Sequence, residues 1–434
     1  MENDIINYLE QTLKLVKNKR ILFRYKEKIN LSRNSIASIF NSNYQTFRFY
    51  YSDDIEYIGI GRCLEYNIYS KEDLEKLKIN KLEIHSFGKN KNQNLKFFGG
   101  VAFNIKANLK EPWDGIPPGL FIIPEILITK QRSHYFISYH CILDKNTDIE
   151  KNINNYDSII NHLHNNSQNK NHLKFQKDYP DKKEYIKIFN TLTDSINNKL
   201  VSKVVLSRTK IYSVSNKCIL KRDQANCTNF HIDLMKNRRF IGSTPEKIIE
   251  VTNKDFYTHA IAGTLRKNQK NIDLKKFLAN RKELSEHKYV IKDLIKKLAK
   301  FSDDIIFSKI PNILELEHLY HLSTPIKGIL RKKTHILDLL YHLYPTPAVL
   351  GTPSEQALNL IIKNEPFDRG WYSGCIGWFD LNGNGRFDVS IRSAFQKNNK
   401  LYFYAGSGLI DNADESYEWE ETQTKFQHLL SLIN

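Results

Sequence analysis

Cysteine is scarce in this chain of 434 residues: Cys63, Cys141, Cys218, Cys227 and Cys375 are odd in number, scattered, and form no CxxC pair. That excludes a disulfide framework or a cysteine-built zinc scaffold, fits a reducing compartment, and leads us to expect a cytoplasmic protein with free thiols. Long apolar runs are missing too. The best, "GLFIIPEILI" from Gly119 to Ile128, is broken by Pro124 and Glu125 and falls short of the roughly 18 residues that cross a bilayer. The N-terminus carries Glu2 and Asp4 where a secretory signal would be basic, so the mature chain is expected to start near Met1. There is no Walker loop, no GxGxxG, no nucleophile elbow and no internal repeat. Acidic residues are outnumbered, 48 Asp and Glu against 65 Lys and Arg, giving a formal charge of +17. Such a balance admits nucleic acid, an anionic membrane surface or an anionic small substrate. The lysines form neither a dense run nor a nucleic-acid motif, which favours a Lys- and Asn-rich surface over nucleic-acid or membrane binding.

A 41% hydrophobic content over this length is enough for a large core. Ile5, Ile6, Leu9 and Leu13 predict an amphipathic first helix. The first 145 or so residues then read as short strands, "TFRFYYS", "YIGIGRCLEY", "KLEIHSF", "FFGGVAFNI" and "YFISYHCIL", separated by polar turns. Ile149, Ile153, Tyr156, Ile160 and Leu163 return to helical spacing, and the polar tract Asn165 to His172 is the candidate flexible connection. Beyond it Tyr185, Ile188, Leu192 and Ile196 mark a helix that leads into a β-branched strand, "VSKVVLSRTKIYSV". "NFHIDL", "RRFIGSTPEKIIEV", "GWYSGCIGWFD", "RFDVSIRSAF" and "KLYFYAGSGLI" read as further strands. "LKKFLANRKELSEHKYVIKDLIKKLAKF" is one long helix, "HILDLLYHLY" another, and a last helix starts near Asp414. Without a regular βαβ period the expected class is α+β with large antiparallel sheets.

Two tempting motifs fail. "DLNGNG" opens like a calcium loop, but Ile391 stands at the twelfth position where a bidentate Glu is required, so a tight hairpin turn is expected. His318 and His321 could share a helical face, yet HExxH is absent and His318 reads as a packed histidine. The acidic pairs hold more interest. Glu283 and Glu286, and likewise Glu418 and Glu421, are three apart on helical stretches, so each pair shares a face. Each alone is an ordinary solvated face, and Glu421 with Lys425 an i to i+4 ion pair. Two such pairs brought together would need a cation between them, and magnesium, a hard oxygen-seeking ion that keeps open coordination positions, suits that role.

The order of "KVVLSR", "IGSTPE", "AIAGT", "KELSEH", "HLSTPIKG", "YPTPAVLGTP", "RGWYSGCIGW", "VSIRSA", "YAGSGL" and "EWEETQTK" resembles the chorismate-utilising enzymes. Among these, which include the anthranilate synthase component I-like proteins, the likeness is to isochorismate synthases of the menaquinone or siderophore type. It runs continuously from about Tyr185 to Leu432. "FFGGVAFN" and "WDGIPPGLFIIPE" resemble the same enzymes more loosely. The resemblance implies a chorismate-binding fold of large antiparallel sheets in a sandwich with helices outside. A sheet-rich part, 1–175, would merge with a catalytic core, 176–434.

It also implies that water attacks ring carbon 2 of chorismate while the carbon 4 hydroxyl leaves. Lys203 matches the general base; a strand lysine among valines would be partly desolvated, which frees neutral amine, although a lysine snorkelling from a strand edge is the better reading from the residues alone. Glu246 matches the general acid, against the plain alternative of a surface Glu after a turn proline. His321 lies where the family keeps a histidine near the reacting hydroxyl. Glu286 and Glu421 would ligate magnesium directly, with Glu283 and Glu418 acting directly or through water. Arg392, Tyr372 and the Gly406 backbone correspond to the grip on the enolpyruvyl carboxylate, Lys425 adds a cation, and Gly263 and Thr264 line the ring side. Relatives that use ammonia generally carry Gln at the position of Lys203 and work with an amidotransferase, so no such subunit is expected. Ala262 stands where aminodeoxychorismate-forming relatives carry a nucleophilic Lys, so no covalent intermediate is expected. The chain is expected to act as a monomer or homodimer. Salicylate synthase, which goes on to eliminate pyruvate, is the nearest rival; a nucleic-acid-binding protein driven by charge is the rival from another class. An inactive homologue is disfavoured because every expected position is filled.

Overall fold

The computed structural model describes residues 2–16, 19–31, 39–40, 44–78, 83–88, 94–162, 172–221, 223–267, 273–315 and 319–433. Most of the polar tract 165–172, Leu163 and His318 lie outside them, and of Thr264 and Glu286 only the backbone is described. Two large sheets dominate. One has 13 strands and carries, in spatial order through its middle, Lys203–Val214, Lys400–Leu409, Ser393–Lys397, Arg238–Thr244, Thr228–Met235, Thr46–Ser52 and Ile55–Ile60. The other has 10 strands and includes Asp304–Phe307, Leu319–Ile329, Asp255–Arg266, Lys247–Thr252, Gly385–Val389, Cys375–Asp380 and Lys96–Val101. Among the described residues pairing is antiparallel except where Ile21–Ile29 runs parallel to Glu83–Gly88. The α+β class with large antiparallel sheets therefore holds.

The N-terminal strands are woven into both sheets. Thr46–Ser52 pairs with Thr228–Met235, and Lys96–Val101 with Cys375–Asp380. Aromatic residues from both sheets meet between them: Phe47 of one stacks on Phe98 of the other at 4.7 Å, while Phe97 and Phe379 stack at 4.8 Å on neighbouring strands of the second sheet. Burying surfaces of this size is the main driving force for holding the layers together. Helices cover the outer faces. Glu2–Leu13 and Ile149–His162 pack through Ile5, Leu9, Ile153 and Tyr156, and Lys182–Asn197 packs through Tyr185 and Leu192 against Val204 and Leu206.

Several stretches that read as single strands are two, and the break is where the chain changes sheet. "YIGIGRCLEY" ends one strand at Ile60, turns at Gly61 (φ 69°), and resumes at Leu64–Ile68 in the other sheet. "RRFIGSTPEKIIEV" does the same around Pro245 and Glu246, and "RFDVSIRSAF" around Ile391 and Arg392 (φ 48°); the apolar run "GLFIIPEILI" changes sheet at the Pro124 and Glu125 that break it. The long helix is also divided: Leu274–Leu278 stops, and Asn280 caps a new helix, Arg281–Leu298, by accepting from the amides of Lys282 and Glu283. An Asn side chain satisfying open amides is a preferred start signal, which the unbroken apolar spacing concealed. "DLNGNG" is the expected hairpin turn between Cys375–Asp380 and Gly385–Val389, with Asp380 accepting from the amides of Asn382 and Asn384. His321 sits in the strand Leu319–Ile329, not on a helix.

Candidate active site

A cavity of about 130 Å³ opens between the two sheets. Two of the sheet-changing corners supply its charged walls, because a corner leaves its side chains out of the ladder and free to face the gap. Glu246 follows Thr244 and Pro245 at one corner; Arg392 stands at the other. Lys203, the first residue of Lys203–Val214, enters from the strand's end, where Gly408 on the neighbouring strand leaves room: a Cβ there would lie 2.9 Å from Lys203 Cε. Gly263, His321, Tyr372, Gly406, Glu421 and Lys425 complete the wall, so nine of the thirteen positions singled out in the sequence line one space. Of the rest, the side chains of Thr264 and Glu286 lie outside the described residues, and Glu283 and Glu418 stand just behind the wall.

The charges are opposed in an orderly way. Glu246 is buried, and desolvation pushes its carboxyl up to about 7 against the pull of the Thr346 hydroxyl, Lys203, Lys425 and Arg392. Thr346 Oγ1 donates to Glu246 Oε1 at 3.2 Å. His321 is pushed down to about 3, by burial first and then by Arg392 and Lys425, so its ring is neutral at physiological pH. Its tautomer follows from its neighbours. Arg392 can only donate, at 3.2 Å to Nε2, so Nδ1 carries the proton and donates to Gly263 O at 3.3 Å. Lys425 Nζ donates to Glu421 Oε1 and to Gly406 O, both at 2.7 Å. Burial weighs against its charge, but Glu421 outweighs that and raises its pKa. Gly406 is a close-approach glycine: a Cβ there would meet Ser207 Oγ at 2.7 Å and Tyr372 Oη at 3.0 Å.

The two helices bearing the acidic pairs are each docked by a residue of the same motifs. Arg208 is buried, lies 3.6 Å over the Trp419 ring and donates to Thr422 Oγ1 at 2.7 Å, which seats Glu415–Ile433. His287 Nε2 lies 2.8 Å from Thr324 Oγ1, which seats Arg281–Leu298. Glu418 is buried and pushed up to about 7, by desolvation and then by Glu421, with Lys425, Ser407 and Lys282 opposing. Lys282 belongs to the other helix, and its neighbour Glu283 brings Oε2 within 3.2 Å of where a Cβ of Gly263 would be. Carboxylates from both helices thus face one region. Among the described residues no group of three or more His, Cys, Asp or Glu side chains is gathered at ligating distance. The donor set still fits a hard divalent cation: buried Glu418 and half-buried Glu421, which repel one another, with a third carboxylate beside Gly263.

One supporting device was not read from the sequence. Glu365 and Arg369 form a buried ion pair at 2.5 Å. Glu365 accepts from Ser207 N at 2.8 Å, while Arg369 donates to Val205 O at 2.7 Å and Val349 O at 2.8 Å. Val205 and Val349 are both cavity wall, so the pair ties a strand to the loop beside it. Its only signal in the sequence was an i to i+4 spacing of opposite charges, which usually marks an exposed helical pair.

Comparison with known proteins gives the family. The chain is 26% identical to the isochorismate synthase MenF of Bacillus subtilis over 96% of its own length and 94% of that protein's. It is 31% identical to the isochorismate synthase EntC of Escherichia coli over 54% of this chain and 62% of that one. Its fold matches the solved menaquinone-specific isochorismate synthase MenF from Escherichia coli, with TM-score 0.80, 21% identity, 100% of this chain and 99% of that chain covered. An anthranilate synthase component I from Streptococcus pneumoniae shares the fold less closely, with TM-score 0.65, 19% identity, and 87% and 92% of the two chains covered. The family model described as "Chorismate binding enzyme" matches residues 8–434, and the chain belongs to that family.

Proposed function

We propose that this protein is an isochorismate synthase, a cytoplasmic isomerase that interconverts chorismate and isochorismate. The observation that carries the reading is the meeting of Lys203 and Glu246 on one small cavity, one a candidate base and the other a carboxyl held near pH 7 by its surroundings. Lys203 removes a proton from the water that attacks ring carbon 2. Glu246 gives its proton to the hydroxyl leaving carbon 4, and the ring double bonds shift between them. A carboxyl at its ordinary pKa would be almost wholly ionised at neutral pH and could not do this. Arg392 and Tyr372, with the close-approaching backbone at Gly406, hold the enolpyruvyl carboxylate; neutral His321 faces the reacting hydroxyl; Gly263 and Thr264 border the ring.

Glu283, Glu286, Glu418 and Glu421 would hold magnesium, which when bound neutralises and orients the ring carboxylate. Its relatives include a menaquinone-specific and a vibriobactin-specific isochorismate synthase, and this chain belongs to that range of roles. The strands of 1–175 and 176–434 form one catalytic body. Purified protein incubated with chorismate and magnesium is expected to yield isochorismate, and Lys203→Ala or Glu246→Gln to lose about 100-fold or more of turnover, as removing a general acid or base does. No turnover, or full activity in either variant, overturns the assignment. Stoichiometric pyruvate would instead make it a salicylate synthase.

A further inference from the structure

Next to the reaction cavity lies a larger groove of about 830 Å³ that the mechanism above leaves unused. Its walls are the end of Lys182–Asn197 with the turn that follows, one exposed face of Arg281–Leu298, and the residues after Lys400–Leu409. The floor is apolar, built by Ile196, Val201, Val290 and Ile410. Among the described residues the rim carries five lysines, at 199, 203, 282, 292 and 296, against two aspartates, at 293 and 411. One aspartate is already engaged: Asp293 lies 2.8 Å from Lys297. Lys203 belongs to both the groove and the reaction cavity, and Pro347 in the groove adjoins Ala348 in the cavity, so the two spaces share a wall.

We infer that this groove is a capture site for the dicarboxylate substrate, which lands there and passes to the reaction cavity over Lys203. The inference rests on the chorismate reading. A ring with two carboxylates has an apolar face for the floor and charges for the lysine rim. A cleft lined by one sign of charge concentrates the field and raises the encounter rate of an oppositely charged ligand, commonly by about 10-fold to 1,000-fold at low salt. Two of the lysines, Lys292 and Lys296, are exposed and one turn apart on the same helix face, and neither lines the reaction cavity. They serve arrival, not chemistry.

The test compares Lys292→Glu/Lys296→Glu with Lys332→Glu/Lys333→Glu, which makes the same charge change on an exposed turn outside the groove. Both are assayed with chorismate at ionic strengths from about 0.02 M to about 1 M, a range over which screening shortens from tens of ångströms to a few. The groove pair is expected to lose about tenfold in kcat/KM at low salt, through KM, with the loss closing at high salt; the control pair should lose less than about twofold. Equal losses in the two variants would mean that only net charge matters and would overturn the inference. So would an unchanged kcat/KM in the groove pair, or a loss that salt leaves in place. A wild-type protein that fails to turn over chorismate at all refutes the function itself; a wild type that works beside an unaffected groove variant refutes only the capture site.

Discussion

At the scale of single residues, Glu246 shows how burial sets both activity and stability. Its carboxyl titrates near 7 in the fold and near 4.5 when exposed, so the folded state favours the protonated form. Stability from this group is intact below pH 4.5 and is lost as pH rises through 7. Glu246→Gln should therefore melt at a higher temperature than the wild type at pH 8, by up to about 3 kcal/mol in unfolding free energy, and show little difference near pH 4. Thermal melts at the two pH values decide it. The acid must carry its proton, so kcat/KM should fall on the alkaline side through about pH 7. Thr346 donates to the ionised form and pulls that titration down, so Thr346→Val should move the alkaline limb of a pH–rate profile upward.

At the scale of elements, the site depends on how helices and strands are tied. Arg369→Met strands Glu365 as an unpaired buried carboxylate and is expected to cost about 3–5 kcal/mol in denaturant unfolding, and turnover with it as the Val205 and Val349 walls separate. Glu418 and Glu421 repel one another on their helix, so a bound divalent ion should stabilise the fold. Magnesium is expected to raise the melting temperature of the wild type, by about 2.7 kcal/mol at a hundred times its Kd, and to leave a Glu418→Gln/Glu421→Gln variant unmoved, while a chelator abolishes turnover. Most elements were legible because their period is local: Ile5 and Leu9 on one helix face, the β-branched run after Lys203, the turn at "DLNGNG". The corners were not. In "RRFIGSTPEKIIEV" both flanks are apolar, since each is buried in its own sheet, and nothing in the alternation marks the change of layer at Pro245. The parallel pairing of Ile21–Ile29 and the tie between Glu365 and Ser207 join residues distant in sequence, which no local pattern can announce. The site residues were reached through the resemblance, because Lys203 and Glu246 read singly are an edge lysine and a surface glutamate.

At the scale of the whole molecule, the sheets do not separate along the chain. Residues 176–434 expressed alone would expose the ladders of Thr228–Met235 and Cys375–Asp380 that Thr46–Ser52 and Lys96–Val101 now satisfy. That fragment is expected to be insoluble or to lack a cooperative melt, which expression and circular dichroism would show. The corners carry a last consequence. Glu246 and Arg392 are each moored to one layer on one side and to the other layer on the other, so their spacing works like a vernier between the two sheets. A slip too small to alter the spectroscopic signature of either layer would already set proton donor and anion clamp out of alignment, and turnover should fade in dilute denaturant well before the strands come apart.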